Sequence, residues 1–218
     1  MNTHIEFART QMVNQQVRTW DVLDPAILAV LGTVPREQFV PPRYRALAFA
    51  DTCIPLPGGQ TMLPPKLEGR LLQALSPAPA ERMLEVGTGS GFMTACLVAL
   101  GGTVTSLEII AELASTAEKK LAALGFRGAE VHNRDVFDFV PDSRFDLIAV
   151  TGSLPVYDRR FADWLGPGGR LFVVTGSAPQ MEARLVRRLG ENEWSTEFLL
   201  ETVVPPLKNA PEHQAFTF

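Results

Sequence analysis

The sequence predicts an α/β fold: a mostly parallel, seven-stranded sheet with helices on both faces, an antiparallel hairpin at its C-terminal edge and an N-terminal helical cap. From Met83 onward, short apolar segments alternate with segments of helical periodicity. Such a series requires a parallel sheet with right-handed crossovers. After residue 178 the period changes to two, which indicates strands that pair directly with each other.

Five strands and three helices account for the alternating section. Residues 145–150 are nearly all apolar, as expected of a strand buried on both faces. Glycines end two of the helices, at Gly101-Gly102 and at Gly125. The predicted strands are 82–86, 104–107, 130–133, 145–150 and 171–174, and the predicted helices are 92–100, 109–124 and 158–165.

The hairpin supplies the last two strands. Met181, Ala183 and Leu185 alternate with charged residues, and residues 197–204 are rich in β-forming side chains. Residues 190–193 can turn the chain between them. A helix over residues 179–189 is the alternative interpretation.

The cap comprises residues 1–80, and we expect it to form one integrated domain with the core, residues 81–218. Helices are predicted at 9–19, at 25–34 after the Asp24-Pro25 pair, and at 66–75 after Pro64-Pro65. Residues 35–65 between the last two helices are too long a stretch to be a simple connection.

Three glycines at alternate positions follow the first predicted strand. Gly87, Gly89 and Gly91, with Thr88 and Ser90 between them, lead directly into a helical pattern. A strand that enters a glycine turn and leaves as a helix lets backbone N–H groups approach a ligand at the positive end of a helix. This Rossmann-like turn is one residue shorter than the G-x-G-x-x-G of dinucleotide binders.

Two acids flank this turn. Glu85 lies two residues before Gly87, where it could meet a cationic amine, and Glu108 ends the second predicted strand, where an acid suits the hydroxyls of a ribose. Together with the turn they fit S-adenosylmethionine better than NAD. A tight turn without a ligand is the alternative.

Composition excludes several classes of protein. The chain has 218 residues, 46% of them hydrophobic, and a net charge of −4, so we expect no binding to nucleic acid. We expect a monomer. We also expect a cytoplasmic protein without a membrane segment, because the first residues are polar and no apolar run is long enough to span a bilayer. Cys53 and Cys96 have no metal-binding or disulfide spacing. The three histidines, His4, His132 and His213, are expected to be structural or at the surface.

Several blocks of the sequence resemble the protein-L-isoaspartate O-methyltransferase family. The glycine block at residues 84–91 is shared with methyltransferases in general, whereas Val34-Pro-Arg-Glu-Gln-Phe-Val40 and Gly59-Gln60-Thr61 are far more specific. The similarity extends to Ile54-Pro-Leu56, to residues 145–151 and to Gly168-Gly-Arg-Leu171. It therefore covers nearly the whole chain.

The resemblance implies a class I S-adenosylmethionine-dependent methyltransferase that methylates isoaspartyl carboxylates in peptides and proteins for repair. Gln60 and Thr61 would face the reacting centre. Where the family has a serine close to the transferred methyl group, this chain has Leu63. The implied cofactor site consists of Glu85, Gly87, Thr88, Gly89, Ser90, Gly91, Glu108, Ile109, Asp135, Val136 and Thr151, and no metal is implied.

Leu63 leaves two further functions open: a diverged methyltransferase with another carboxylate acceptor, and a cofactor-binding protein without catalysis. Methyl transfer to a carboxylate needs no general base, because a free carboxyl group has a pKa of about 4 and is already ionised at neutral pH. The scarcity of histidine is therefore compatible with the first two functions.

Overall fold

The computed structural model describes residues 2–212, so His213 lies outside the described part of the chain. Seven α-helices and nine strands are present in that part. The helices are α1 (Asn2–Met12), α2 (Pro25–Thr33), α3 (Arg36–Phe39), α4 (Pro65–Leu75), α5 (Phe92–Ala99), α6 (Ala111–Ala123) and α7 (Arg160–Asp163). The strands are β1 (Ile54–Pro55), β2 (Thr61–Met62), β3 (Arg82–Val86), β4 (Thr103–Glu108), β5 (Ala129–Asn133), β6 (Phe145–Leu154), β7 (Leu165–Ser177), β8 (Gln180–Arg188) and β9 (Trp194–Glu201).

Strands β3 to β9 form one sheet in the order β5-β4-β3-β6-β7-β8-β9. The first five of these are parallel, and β8 and β9 are antiparallel additions at one edge. The predicted fold class is confirmed. The strand order reverses between β3 and β6, and ligands of open α/β sheets bind at the carboxyl ends of the strands beside such a point.

The hairpin is confirmed, and a helix over residues 179–189 is wrong. β7 and β8 pair continuously from Arg170–Arg187 to Ser177–Gln180. β8 buries Met181, Ala183 and Leu185 on one face. The period-two alternation therefore favours a strand over a helix here, because it places each of these side chains on the core face of the sheet.

Several predicted boundaries were wrong. The first helix begins at Asn2 rather than at residue 9, and it continues through π-helical and 3-10 segments to Trp20. β7 runs well beyond the predicted 171–174, because pairing with β8 on one side and β6 on the other extends it in both directions. A register shift against β6 accommodates the glycine-rich residues 166–169 within it. The helix predicted at 158–165 is reduced to the single turn α7.

The stretch between α2 and α4 is structured. It contains α3, a 3-10 helix at Pro42–Leu47, and a small antiparallel sheet in which Ile54 pairs with Met62 and Pro55 with Thr61. A single apolar cluster continues from the cap into the sheet and includes Leu31, Phe39, Leu72, Cys96 and Phe172. Within residues 2–212, no helix has the length and apolarity needed to cross a bilayer.

Helices α2 and α4 contain a pair of glycines that test the packing of the cap. A Cβ on Gly69 would lie 2.9 Å from Val17 and 3.1 Å from Val22, both buried and stiff, whereas a Cβ on Gly32 would have nothing within 4 Å. We expect Gly69→Ala to lower the free energy of unfolding by about 1–3 kcal/mol through overpacking. Gly32→Ala should raise it by about 0.5–1 kcal/mol, since alanine favours a helix. Urea denaturation measures both, and equal effects would contradict this packing.

Candidate active site

The glycine turn joins β3 to α5 at the carboxyl edge of the sheet. Gly87, Gly89 and Gly91 all have positive φ angles, of 93°, 53° and 86°. A Cβ on Gly87 would lie only 2.5 Å from the hydroxyl oxygen of Thr151 on β6. The turn therefore needs glycine both for its conformation and for its close approach to the neighbouring strand.

Side chains from both neighbouring strands hold this turn. Glu108, at the end of β4, accepts hydrogen bonds from the Gly89 N–H (2.8 Å) and the Ile110 N–H (2.9 Å), one on each carboxylate oxygen. Thr151 donates to the carbonyl oxygens of Val86 and Gly87, at 2.9 and 2.6 Å. A carboxylate has about four lone-pair sites, so Glu108 keeps capacity to accept further hydrogen bonds from a ligand.

Asp135 follows β5 and lies at the same edge. One of its oxygens accepts from the Phe137 N–H (2.9 Å) and caps the 3-10 turn at Val136–Asp138. The other accepts from the Asn209 side-chain amide at 2.7 Å. Asp135 therefore caps a turn and also lines the cavity, beside Ile109 and Val136.

Residues 203–210, which we call the strap, run across the carboxyl ends of β3 and β6. Ser153 holds the strap through three hydrogen bonds of 2.8–3.0 Å. Its backbone N–H donates to the Pro205 carbonyl and its hydroxyl donates to the Val204 carbonyl. Its own carbonyl accepts from the Leu207 N–H. Leu207 packs so closely that a Cβ on Gly152 would lie 2.6 Å from it. Leu207 of the strap lines the cavity together with Gly87 of the glycine turn.

The cap contributes residues 60–63, which we call the acceptor segment. Gln60 and Thr61 line the cavity next to Gly87 and Gly89, and Leu63 lines its inner end with Met93. The hydroxyl of Thr61 is buried without a well-formed hydrogen bond in the described residues, although the Cys53 thiol lies beside it. The small sheet of β1 and β2 places this hydroxyl at the sheet edge.

Three small adjoining cavities lie between the strap, the acceptor segment and the sheet, of about 50, 40 and 40 Å³. Ligand pockets usually need roughly 300 Å³ or more, so a bound nucleoside requires more space than these cavities hold. Two larger cavities, of about 510 and 530 Å³, lie towards the hairpin and contain none of the residues predicted from the sequence. Of those predicted residues, the small cavities are lined by Gln60, Thr61, Leu63, Gly87, Thr88, Gly89, Ser90, Glu108, Ile109, Asp135, Val136 and Thr151.

Glu85 and Gly91 are not among the lining residues. Gly91 is the N-cap of α5, and Glu85 is fully buried under the turn, where it accepts hydrogen bonds from the hydroxyls of Thr94 and Ser106. Its other oxygen is buried without a partner in residues 2–212. Burial raises the pKa of Glu85 to about 7, and the two hydrogen bonds oppose this rise. In this structure Glu85 supports the turn from beneath; a contact between Glu85 and a ligand amine remains a prediction.

Other lining residues were not predicted from the sequence. Arg134, Leu207 and Lys208 lie around Asp135, and Glu68 and Met93 lie at the inner end. Glu68 forms an ion pair with Arg36, and both side chains are buried. Arg36 belongs to the block Val34–Val40. This block indicated the family in the sequence, but it did not indicate that Arg36 would lie next to the cavity.

Comparison with known proteins identifies the family of this chain. The family model for protein-L-isoaspartate(D-aspartate) O-methyltransferase matches residues 8–210. The chain belongs to this family. It is 35% identical to protein-L-isoaspartate O-methyltransferase 2 of Pelobacter propionicus, over 94% of this chain and 92% of that protein. It is 37% identical to protein-L-isoaspartate O-methyltransferase of Rhodopseudomonas palustris strain CGA009, over 91% and 92%.

Two solved structures share the fold. A Plasmodium falciparum structure of the same enzyme class, in complex with S-adenosyl-L-homocysteine, covers 92% of this chain and 98% of its own, with a TM-score of 0.78 and 17% identity. A second protein-L-isoaspartate O-methyltransferase covers 92% of this chain and 66% of its own, with a TM-score of 0.80 and 21% identity. The architecture is therefore retained at low sequence identity.

The buried carboxyl group of Glu85 predicts a pH dependence of stability. Its pKa is 4.5 in the unfolded chain and about 7 in the folded one, so the folded state holds the proton more tightly. Stability therefore falls as the pH rises from about 4.5 to 7 and is level above that range. The loss is on the order of 3 kcal/mol, since each pH unit of displacement corresponds to about 1.4 kcal/mol.

We expect Glu85→Gln to remove this loss. Urea denaturation at pH 5 and pH 8 should show that the parent loses on the order of 2–3 kcal/mol more than the variant between the two conditions. Glu112→Gln, on the exposed side of α6, is the matched control and should follow the parent. Identical pH profiles for the parent and Glu85→Gln would contradict the expectation.

Proposed function

We propose that this protein transfers the methyl group of S-adenosylmethionine to the free carboxylate of isoaspartyl residues in peptides and proteins. The observation that carries the proposal is the meeting of the glycine turn, Glu108 and Asp135 with Gln60 and Thr61 around one set of adjoining cavities. Membership of the protein-L-isoaspartate O-methyltransferase family supports the same reaction.

The residues present fit the cofactor. The backbone of the glycine turn is free of side chains at Gly87 and Gly89, and Glu108 retains lone pairs for the two hydroxyls of a ribose. Asp135 stands beside the same cavity, where it can accept a hydrogen bond from the amino group of adenine. When bound, the cofactor supplies a methyl group activated by a positively charged sulfur.

The rest of the site holds the acceptor. Thr61 has a buried hydroxyl without a well-formed hydrogen bond, and Gln60 adds an amide beside it. Met62, Leu63 and Met93 are the apolar residues of the inner end, where the acid Glu68 is paired with Arg36. Because a negative acceptor and a positive sulfonium lose their charges together as the methyl group moves, a dry cavity with fixed geometry favours the transfer without a general base.

One observation favours a second candidate, a methyltransferase for another carboxylate acceptor. Leu63 occupies the position of the family's serine, and it is buried against the cavity with its backbone carbonyl already bonded to Arg36. An apolar side chain cannot donate a hydrogen bond to an isoaspartyl carboxylate. A different acceptor with an apolar flank would suit this wall.

The decisive experiment incubates the protein with isotopically labelled S-adenosylmethionine and one isoaspartyl peptide, with the corresponding aspartyl peptide as control. We expect base-labile methyl esters on the isoaspartyl peptide alone. Calorimetry with S-adenosylhomocysteine and with NAD separates the remaining possibilities. Binding of S-adenosylhomocysteine without ester formation would favour the diverged enzyme if a cell extract is methylated, and a binding protein if it is not. Binding of NAD alone would exclude the cofactor assignment.

The acceptor segment yields a paired mutational prediction. If Thr61 supplies the hydroxyl that positions the acceptor, Thr61→Val should lower kcat on the isoaspartyl peptide by about tenfold or more, since one hydrogen bond to a charged group contributes about 1.5–3 kcal/mol. Leu63→Ser restores a second hydroxyl and should raise it. Steady-state kinetics measures both. Parental rates in both variants, with unchanged binding of S-adenosylhomocysteine, would show that this segment does not hold the acceptor.

Three further expectations remain proposals: a monomer, a cytoplasmic location, and a cap that forms one integrated domain with the core. The continuous apolar cluster supports the last of these. The net charge of −4 supports the proposal that nucleic acid is not a partner.

A further inference from the structure

Arg36 lies directly behind the acceptor segment and is completely buried. Its Nη2 donates to the carbonyl of Leu63 at 2.8 Å, and its Nε donates to the carbonyl of Ala48 at 2.8 Å. Its Nη1 pairs with Glu68, and the guanidinium lies over the ring of Phe92, 4.8 Å from the centroid. Each nitrogen of the guanidinium thus bonds to a different element of the cap.

The bond to Leu63 fixes the far end of the acceptor segment. The near end is already held by the pairing of Pro55 with Thr61 and by the Leu56 N–H, which donates to the Gln60 carbonyl at 2.8 Å. Thr61 therefore lies between two anchors, one made by backbone pairing and one made by Arg36. Loss of either anchor releases the backbone that carries the Thr61 hydroxyl.

Glu68 links this anchor to the cavity. Its carboxylate pairs with Arg36 and also lines the cavity beside Thr61 and Leu63. The guanidinium charge opposes the rise that burial causes in the pKa of Glu68. The pair thereby places a neutralised acid, rather than a free negative charge, next to the position of an anionic acceptor.

We propose that Arg36 is a positioning residue for methyl transfer: through the Leu63 carbonyl it sets the place of Thr61, while the bound cofactor does not depend on it. This inference rests on the proposed function. Lysine cannot replace Arg36, because an ammonium group lacks the planar fork that serves three partners in fixed directions.

The chain offers a matched control for the loss of a buried arginine. Arg170, at the opposite end of the sheet, pairs with Glu81 and donates to the carbonyls of Leu75 and Ser76, so its set of partners is of the same kind. None of these residues lines the cavities of the site. Arg170→Lys therefore reports the cost in stability alone.

The experiment compares Arg36→Lys with Arg170→Lys. For Arg36→Lys we expect kcat on the isoaspartyl peptide to fall by about 10- to 100-fold, the scale for a misplacement of about 1 Å at a reacting centre. The Kd for S-adenosylhomocysteine should stay within about twofold. Arg170→Lys should lower Tm by about as much as Arg36→Lys does, but it should keep kcat within about twofold. Equal losses of kcat in both variants, or full kcat in Arg36→Lys, would overturn the proposal.

A second measurement does not depend on the acceptor. Amide hydrogen exchange at residues 61–63 should be faster in Arg36→Lys than in the parent and unchanged in Arg170→Lys. If the parent does not methylate isoaspartyl peptides, the proposed function fails, while this exchange still decides whether Arg36 positions the segment.

Glu68→Gln provides the test if Arg36→Lys does not fold. It removes the negative charge that faces the guanidinium, keeps an amide oxygen as acceptor, and leaves the bond to Leu63 available. We expect kcat to fall by about three- to tenfold, with somewhat faster exchange at residues 61–63 and unchanged binding of S-adenosylhomocysteine. Parental kcat and parental exchange in Glu68→Gln would reject the role of the pair.

Discussion

The site depends on how closely the backbone between residues 87 and 91 approaches its neighbours. There is no room for a side chain at Gly87, where a Cβ would meet the Thr151 hydroxyl at 2.5 Å. Because the turn is so close, Thr151 can bond to its carbonyls from β6 and Glu108 can bond to its amide from β4. The turn, both flanking strands and the cavity are consequently fixed as a unit, and the cap and the strap take their positions against that unit.

The buried ion pair between Arg36 and Glu68 has a different physical basis. A buried pair recovers little more energy than its desolvation costs, so it is a poor source of net stability. The pair instead provides conformational specificity, because a planar guanidinium with several partners allows few alternative arrangements of the chain around it. The cap thus combines an apolar cluster, which supplies the stability, with one polar group that specifies the path of residues 60–63.

Most of the fold was predictable because it is encoded in short-range patterns. The apolar run at 145–150 and the alternation of Met181, Ala183 and Leu185 are each sufficient to identify a strand. The placement of Glu108 and Asp135 at one edge was also predictable, since Glu108 ends a strand and Asp135 follows one, and the carboxyl ends of parallel strands lie at the same edge of the sheet. The length of β7 was not, because its ends depend on partners on both sides.

The features that the sequence did not reveal depend on contacts between distant parts of the chain. Nothing periodic in residues 203–210 indicates that Leu207 would cover Gly152 or that Asn209 would reach Asp135, 74 positions earlier. The orientation of the Glu85 side chain could have been predicted from the alternation of side chains along a strand. Neighbouring side chains of a strand point to opposite faces, and the side chain of Glu85 faces α5 and Thr94 rather than the open edge.

The strap also has a consequence for synthesis of the protein, because it follows all nine strands in the chain. A ribosome releases the glycine turn, both acids and the acceptor segment long before it releases Leu207 and Asn209. Until those residues emerge, Gly152 has no cover and Asp135 lacks its amide partner. The segment that covers this edge of the sheet is therefore made only after every strand of the sheet has been made.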